Sequence, residues 1–157
     1  MNDPQLKPPR EYQRQAVDEV KAKLDKRPIL VAPTGSGKTY MGVLLAVELG
    51  IPVLWLAHRT ELVDQAAKHL QEVGLFAGII MAGRKGLPLA PVQVASVQTL
   101  ANRQKPLAGL VVIDECHHAT ADVYGEILDE YPAAAVVGLT ATPFRLDGRG
   151  LGDIFGE

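Results

Sequence analysis

The fold is decided by residues 32–39, which read Ala32-Pro33-Thr34-Gly35-Ser36-Gly37-Lys38-Thr39 in a chain of 157 residues. An apolar run at 29–31 precedes this octet, and a second apolar run at 41–47 follows it. We therefore expect a buried strand, a tight glycine turn and the start of a helix, the setting in which phosphate-binding loops occur. The octet departs from the usual pattern at its first position, where Ala32 stands in place of glycine.

The octet contains the residue types that hold nucleotide phosphates. Gly35 and Gly37 permit backbone angles that other residues avoid, so that backbone N–H groups converge on an anion. A helix that starts near Lys38 directs its unpaired N–H groups and the positive end of its dipole to the same place. Lys38 adds a cation for the outer phosphates, and the hydroxyl of Thr39 adds a ligand for Mg²⁺. The sequence therefore predicts a phosphate site, the alternative being a strand–turn–helix without a ligand.

Composition limits the remaining classes of protein. With 47% apolar and 22% charged residues, the chain is suited to one ordinary globular domain. The net charge of −2 provides no overall attraction to nucleic acid, so any such surface must be local. The single cysteine, Cys116, excludes an internal disulfide framework and predicts a cytoplasmic protein. The apolar run at 41–56 is interrupted by Glu48, Gly50 and Pro52, so we expect no membrane span.

Hydrophobic patterning predicts strands that alternate with helices. The predicted helices are 11–24, 38–49, 60–73, 98–102 and 123–130, with Thr60 as a cap and Gly50 as a stop, and a short helix near Leu151. The predicted strands are 29–31, 52–57, 78–81, 92–97, 110–113 and 134–139. Because these strands are apolar on both faces, we expect an α/β fold with three αβα layers and a mostly parallel sheet. Ligands of such sheets lie beyond the carboxyl ends of the strands.

The run at 110–113 is followed by Asp114 and Glu115, which supply the carboxylates that the phosphate loop lacks. A carboxylate at the end of a buried strand can hold Mg²⁺ opposite Thr39, and we assign this role to Asp114. Glu115 is placed to orient and deprotonate the attacking water, so that Lys38, Asp114 and Glu115 form the predicted catalytic set. The alternative is a strand that merely ends at solvent.

Cys116, His117 and His118 raise the question of a different metal. Three adjacent residues cannot wrap one zinc ion, and the chain has no second cluster of cysteine and histidine. We expect His117 to relay the state of the nucleotide to neighbouring loops, with an inert loop histidine as the alternative.

Four motifs occur in order: the octet at 32–39, then Ala57-His58-Arg59-Thr60-Glu61-Leu62, then Asp114-Glu115-Cys116-His117, then Leu139-Thr140-Ala141-Thr142-Pro143. Together they resemble the first RecA-like motor domain of superfamily two helicases, the DExH-type group that includes bacterial DNA-repair helicases and restriction-enzyme motor subunits. The resemblance covers residues 8–145 and implies a RecA-like P-loop NTPase domain.

The resemblance implies roles for further residues. Arg10 and Gln13 resemble the family's adenine-recognition segment, in which a glutamine hydrogen-bonds the edge of the base. The implied nucleotide-binding set is Arg10, Gln13, Pro33, Thr34, Gly35, Ser36, Gly37, Lys38 and Thr39. The implied nucleic-acid contacts are His58, Arg59, Arg84, Ser96, Gln98 and Thr99, with Lys85 beside Arg84. The implied coupling residues are His117, Thr140 and Thr142. Each nucleic-acid contact could otherwise be an ordinary polar loop residue.

The predicted function is that of the ATP-binding first half of an ATP-dependent DNA helicase or translocase. We expect ATP and Mg²⁺ as cofactors and DNA as the partner, with RNA as the alternative. One domain is expected over 1–157, with flexible ends at 1–8 and 146–157. The family's second RecA-like domain, which carries an arginine finger, is missing from this chain and is expected in cis or from a partner protein. The chain alone should therefore hydrolyse ATP slowly and unwind nothing.

Two other classes of protein share part of these features. A stand-alone nucleotide- or nucleic-acid-binding regulator without motor activity would also have the phosphate loop. A nucleotide kinase would have it too, but would leave the motifs at 57–61 and 139–143 unexplained and would need an acceptor-binding lid that the sequence does not indicate.

Overall fold

A single parallel sheet organises the computed structural model, which describes residues 7–32, 37–83, 86, 89–103, 105–116 and 121–141. Its strands within these ranges are β1 (Ile29–Val31), β2 (Val53–Ala57), β3 (Ala77–Ile80), β4 (Val92–Ser96), β5 (Leu110–Ile113) and β6 (Ala135–Thr140). They lie in the order β1-β6-β5-β2-β4-β3, and every neighbouring pair is parallel. The predicted parallel sheet is confirmed.

The helices alternate with these strands along the chain. They are α1 (Glu11–Ala22), α2 (Lys38–Leu49), α3 (Thr60–Glu72), α4 (Val97–Leu100) and α5 (Ala121–Leu128). The predicted bounds of α2 are confirmed, since the helix stops at Gly50, which has a φ of 62°. Glycine is one of the few residue types that adopt this left-handed conformation without strain, and this explains why the helix ends at Gly50.

Several predicted helix details are wrong. α5 spans Ala121–Leu128 rather than 123–130, and α4 ends at Leu100 rather than at 102. α1 ends at Ala22 rather than Leu24, because the chain tightens into a 3₁₀ turn over Leu24–Lys26. Thr60 is the first residue of α3 and not its cap; Arg59 holds the cap position with an extended backbone and no side-chain capping bond. α4 begins at Val97, one residue before the predicted bound, and Val97 is buried. The short helix predicted near Leu151 lies outside the described residues.

Apolar side chains cover both faces of the sheet. On one face α1, α2 and α3 contribute Val17, Met41, Leu45, Val63 and Leu70 to a core that includes Trp55 and Val112. On the other face α4 and α5 contribute Leu100, Tyr124 and Ile127 to a core with Leu54, Leu56 and Ile113. β2 and β5 are buried along their whole length because both of their faces are covered. The three-layer αβα architecture is therefore confirmed.

Close packing holds α2 against the middle of the sheet. A Cβ atom on Gly42 would lie 2.8 Å from Cη2 of Trp55 and 2.9 Å from Cδ1 of Leu139. Real Cβ atoms do not approach other atoms so closely, so only glycine lets α2 lie this near to β2 and β6. The indole of Trp55 consequently fills the space between helix and sheet and is fully buried.

An ion-pair cluster joins α1 to the end of α2. Arg14 contacts both carboxylate oxygens of Glu48, with 2.6 Å from Nη2 to Oε1, and Lys21 Nζ lies 3.1 Å from the same Oε1. Arg14 also pairs with Asp18 one turn along α1. The Arg14 hydrogen bonds are the main cause that lowers the pKa of Glu48 to about 2, and Lys21 adds to the effect. α1 is therefore tied to the helix that starts at the phosphate loop.

We expect the Glu48→Gln substitution to lower thermal stability near neutral pH but not near pH 2. The pKa of Glu48 falls from 4.5 to about 2 on folding, so its stabilising contribution is present above pH 4.5 and is lost as the pH falls toward 2. Melting temperatures of the wild type and the variant, measured between pH 7 and pH 2.5, should therefore converge at the acid end. Glu126→Gln on exposed α5 surface is the matched control and should show no such convergence; a pH-independent difference for Glu48→Gln would contradict the assignment.

Candidate functional site

The carboxyl ends of three adjacent strands form the centre of the candidate site. β6 lies between β1 and β5, so the residues that follow these three strands meet at one edge of the sheet. The backbone N–H of Ala32 donates to the carbonyl of Thr140 over 2.9 Å, and this bond continues the β1–β6 pairing into the phosphate loop. Thr140 is fully buried beside the loop entrance. This edge is where the sequence predicted the ligand.

The described end of the phosphate loop has the expected geometry. Gly37 has a φ of 84° and occupies the cap position of α2, and its carbonyl accepts the backbone N–H of Met41 over 2.9 Å. A left-handed cap of this kind favours glycine, which explains why Gly37 stands there. Four predicted phosphate-binding residues lie outside the described part of the chain: Pro33, Thr34, Gly35 and Ser36. Thr39, the predicted metal ligand, lies in the first turn of α2 and is partly exposed.

Lys38 and Glu115 form an ion pair across the site. The ammonium of Lys38 contacts Oε1 of Glu115, and both side chains are mostly buried, with 16% and 22% of their surface exposed. Glu115 follows β5 and has a φ of 50°, a left-handed conformation that costs a glutamate on the order of 1 kcal/mol. The structure thus brings together two of the three predicted catalytic residues.

Asp114, the third, is a buried carboxylate with one unused oxygen. Its Oδ2 accepts a hydrogen bond from Nε1 of Trp55 over 3.4 Å, while its Oδ1 has no hydrogen-bond partner among the described residues. Burial raises the pKa of Asp114, and the nearby Lys38 ammonium and the Trp55 hydrogen bond oppose that rise. A buried carboxylate oxygen that lacks a donor is a suitable ligand for a hard divalent cation, so this residue fits Mg²⁺.

Gln13 lies against the end of the phosphate loop. Its side chain is 91% buried, and its Oε1 accepts the backbone N–H of Arg10 over 2.9 Å. Its Nε2 lies only 2.7 Å from the position that a Cβ on Gly37 would take. The predicted adenine-binding residue therefore shares one site with the phosphate loop. Arg10 is the cap residue of α1 and its side chain is exposed.

A second polar group lies at the ends of β2 and β4, which are neighbours in the sheet. The side chain of Gln98 donates to the carbonyl of His58 over 3.3 Å and accepts from the hydroxyl of Ser96 over 3.0 Å. Arg59 is exposed at the start of α3, and Thr99 is partly exposed on α4. Five of the predicted nucleic-acid residues are thus assembled at one edge. Arg84, Lys85, His117 and Thr142 lie outside the described residues.

Sequence reasoning missed three residues that build the site. Trp55 bonds to Asp114, and Gly42 makes room for the indole; neither belongs to a motif. Glu48 was noted only as a charge that interrupts an apolar run, yet it ties α2 to α1. A glycine one turn after Lys38 in an otherwise apolar helix is the one signal that could have indicated close packing there.

The cysteine next to the predicted catalytic pair is a buried thiol. Cys116 is fully buried, and burial raises the pKa of its thiol to about 12. No group of three His, Cys, Asp or Glu side chains in the described ranges could hold a metal ion by itself. A magnesium ion at Asp114 and Thr39 would take its remaining ligands from phosphates and water, as is usual for Mg²⁺.

Comparison with known proteins identifies the family. The sequence profile described as "Type III restriction enzyme, res subunit" matches residues 6–145, and the chain belongs to this family. It is 32% identical over 173 residues to the "Type I restriction enzyme EcoAI endonuclease subunit" of Escherichia coli, covering 96% of this chain and 21% of that protein. It is 32% identical over 143 residues to the "DNA 3'-5' translocase XPB2" of Sulfurisphaera tokodaii, covering 89% and 32%. The chain thus spans at most about a third of these relatives.

A solved structure agrees with the fold. The UvsW helicase from bacteriophage T4 superposes with a TM-score of 0.78 and 25% identity, over 99% of this chain and 62% of that one. The chain is therefore the first RecA-like domain of a superfamily two helicase, an ATP-binding P-loop class. This family differs from the nucleotide kinases that the phosphate loop alone would also allow. In the part of the chain that is described, no helix has the length and apolar character needed to cross a membrane.

We expect Gly37→Ala to weaken nucleotide binding about tenfold, while Gly50→Ala leaves it unchanged. Both glycines have positive φ, so both substitutions should lower the free energy of unfolding by about 1 kcal/mol. Only at Gly37 would the new methyl displace the Gln13 amide, since nothing lies within 4 Å of a Cβ at Gly50. Denaturant unfolding and the anisotropy of a fluorescent ADP analogue separate the two effects; equal affinities would contradict the role of the Gln13–Gly37 contact.

Proposed function

We propose that the chain is the ATP-binding half of the motor of an ATP-dependent DNA helicase or translocase. The observation that supports this best is the meeting of Lys38, Glu115 and the buried Asp114 at the carboxyl edge of the sheet. An ammonium, a metal-binding carboxylate and a second carboxylate are the groups that phosphoryl transfer to water requires.

The residues divide the chemistry between them. Lys38 exchanges the Glu115 carboxylate for the outer phosphates when nucleotide enters, which frees Glu115 to take a proton from the attacking water. Asp114 and Thr39 would hold Mg²⁺, which would supply positive charge to the phosphate oxygens. Gln13, at the edge of the loop, takes the adenine edge, with Arg10 at the start of the same helix.

DNA is the proposed partner of the second polar group. The relative from Sulfurisphaera tokodaii is described as a DNA translocase. Arg59 and Gln98 are exposed at the ends of β2 and β4, while the ring nitrogens of the adjacent His58 are buried. β2 is also the neighbour of β5, which leads to the proposed ATP site. Such groups contact phosphates and read no base, so the proposed binding is independent of sequence. Thr140, buried between the strands of the ATP site, is the described member of the proposed coupling set.

The complete motor requires a second RecA-like domain, in cis or from a partner. In related phosphoryl-transfer enzymes an arginine supplied to the site accelerates hydrolysis by about 10³–10⁵. We therefore propose that this chain alone binds nucleotide and hydrolyses it slowly. DNA-stimulated turnover by the isolated chain would overturn this part of the proposal. The cytoplasmic location stays a prediction from the single cysteine.

We expect Lys38→Ala to abolish nucleotide binding and Glu115→Gln to preserve it. Lys38 supplies the cation for the phosphates, whereas glutamine at Glu115 keeps the size of the side chain and loses only the base. Binding is measured by anisotropy of a fluorescent ATP analogue with Mg²⁺, and hydrolysis by phosphate release in single turnover. If Glu115→Gln still hydrolyses ATP at the wild-type rate, the assignment of the base is wrong.

We expect Arg59→Ala to weaken binding to single-stranded DNA, and Lys68→Ala to leave it unchanged. Both residues are exposed cations of the α3 segment, so both variants change the net charge equally. Only Arg59 lies at the strand edge, and its removal should lower the slope of log affinity against log salt by about 1. Anisotropy titrations at several salt concentrations, repeated with RNA of the same sequence, measure the slope and the choice of nucleic acid. Equal losses in both variants would indicate a purely nonspecific charge effect.

A further inference from the structure

Trp55 is the single tryptophan of the chain, and none of the four motifs includes it. It lies in the middle of β2, fully buried, yet its ring N–H reaches a carboxylate of the candidate ATP site. The bond runs from Nε1 of Trp55 to Oδ2 of Asp114 over 3.4 Å. A buried indole usually places its N–H on a partner, and the choice of this partner has a chemical consequence.

The sheet register brings the two residues together. Trp55 pairs with Val112 of β5, and Asp114 lies two residues further on, so it is the diagonal neighbour on the same face of the sheet. The backbone N–H of Asp114 donates to the carbonyl of Leu56 over 2.9 Å and extends this pairing to the carboxylate. The backbone of Asp114 is thus fixed relative to the strand that carries the indole.

The helix above the sheet fixes the indole itself. Cη2 and Cζ3 of Trp55 lie 2.8 Å and 3.2 Å from the position of a Cβ on Gly42, so the ring is held tightly beneath α2. α2 is also the helix that begins with Lys38 and Thr39. The indole therefore connects the phosphate-loop helix to the Asp114 carboxylate.

The bond also determines which carboxylate oxygen is available. Oδ2 accepts the indole N–H, while the buried Oδ1 makes no hydrogen bond to the described part of the chain. A hydrogen bond to one oxygen of a metal-binding carboxylate orients the other toward the ion. Tryptophan suits this position because it supplies one donor and otherwise only apolar surface, which the surrounding core requires.

We propose that Trp55 is a positioning residue for Asp114, that it sets the affinity for the divalent cation, and that its fluorescence reports cation binding. This inference rests on the proposed function, because it assumes the nucleotide–cation site at Asp114. It adds a residue outside the motifs to the site. Only the affinity for the cation should depend on Trp55, because nucleotide binding without a cation should not involve this residue.

The test is Trp55→Phe in the full chain, which keeps an aromatic ring and removes the N–H. Binding of a fluorescent ADP analogue is measured by anisotropy, once in EDTA and once in Mg²⁺. In EDTA the variant should bind the ADP analogue as tightly as the wild type does. In Mg²⁺ the affinity gained from the cation should be about tenfold smaller in the variant than in the wild type. Tyr131→Phe is the matched control. This substitution removes an aromatic hydroxyl that donates to the carbonyl of Pro106, away from Asp114. The Tyr131→Phe variant should retain the whole effect of Mg²⁺ on affinity.

The second readout needs no substitution at Trp55. Addition of Mg²⁺ to the wild type with unlabelled ADP should change the indole emission, and Asp114→Asn should abolish that change. If Trp55→Phe is folded by circular dichroism and gains as much affinity from Mg²⁺ as the wild type, the inference is overturned. If the variant does not fold, an indole emission that does not respond to Mg²⁺ in the wild-type ADP complex overturns it. A wild type that binds no nucleotide would overturn the proposed function, and this inference with it.

Discussion

The parallel direction of the strands is the constraint on which the rest of the structure depends. Each strand ends at the same edge of the sheet, so residues far apart in sequence meet there without a long loop. Lys38 and Glu115 are 77 positions apart and form an ion pair because β6 separates β1 from β5 by a single strand. The chemistry of the site is therefore a consequence of strand order.

α2 links the parts of the site to one another. Its first turn carries Lys38, its middle admits the indole of Trp55 through Gly42, and its end binds Arg14 of α1 through Glu48. Gln13, which precedes Arg14 in α1, lies against Gly37 at the end of the phosphate loop. A displacement of α2 would thus move Lys38, the indole that bonds to Asp114 and the helix α1 together. Closely packed interiors move as units, so these parts of the structure would not shift independently of one another.

Much of the fold follows from local sequence signals, and the exceptions have physical reasons. The strand at 110–113 and the helix at 38–49 have the predicted bounds, because an apolar branched run and a glycine stop are strong local signals. The predicted cap of α3 was wrong because Arg59, which follows β2, has an extended backbone and takes the cap position itself. The capping propensity of Thr60 gives no sign of this. The contact between Gln98 and His58 depends on the neighbouring positions of β2 and β4 and could not be located by spacing alone.

By itself, the sequence determined the class of chemistry. The glycine loop, the acidic pair after a buried strand and the order of four motifs indicate an ATP-binding domain of the helicase class, because each motif needs particular residue types at adjacent positions. Only the tertiary structure decided which oxygen of Asp114 is available and which residue holds the other. That choice is made by an indole from a different strand, beneath a helix that lacks a Cβ at the point of contact. Packing of this kind depends on the distances between helices and strands, which no local stretch of sequence determines.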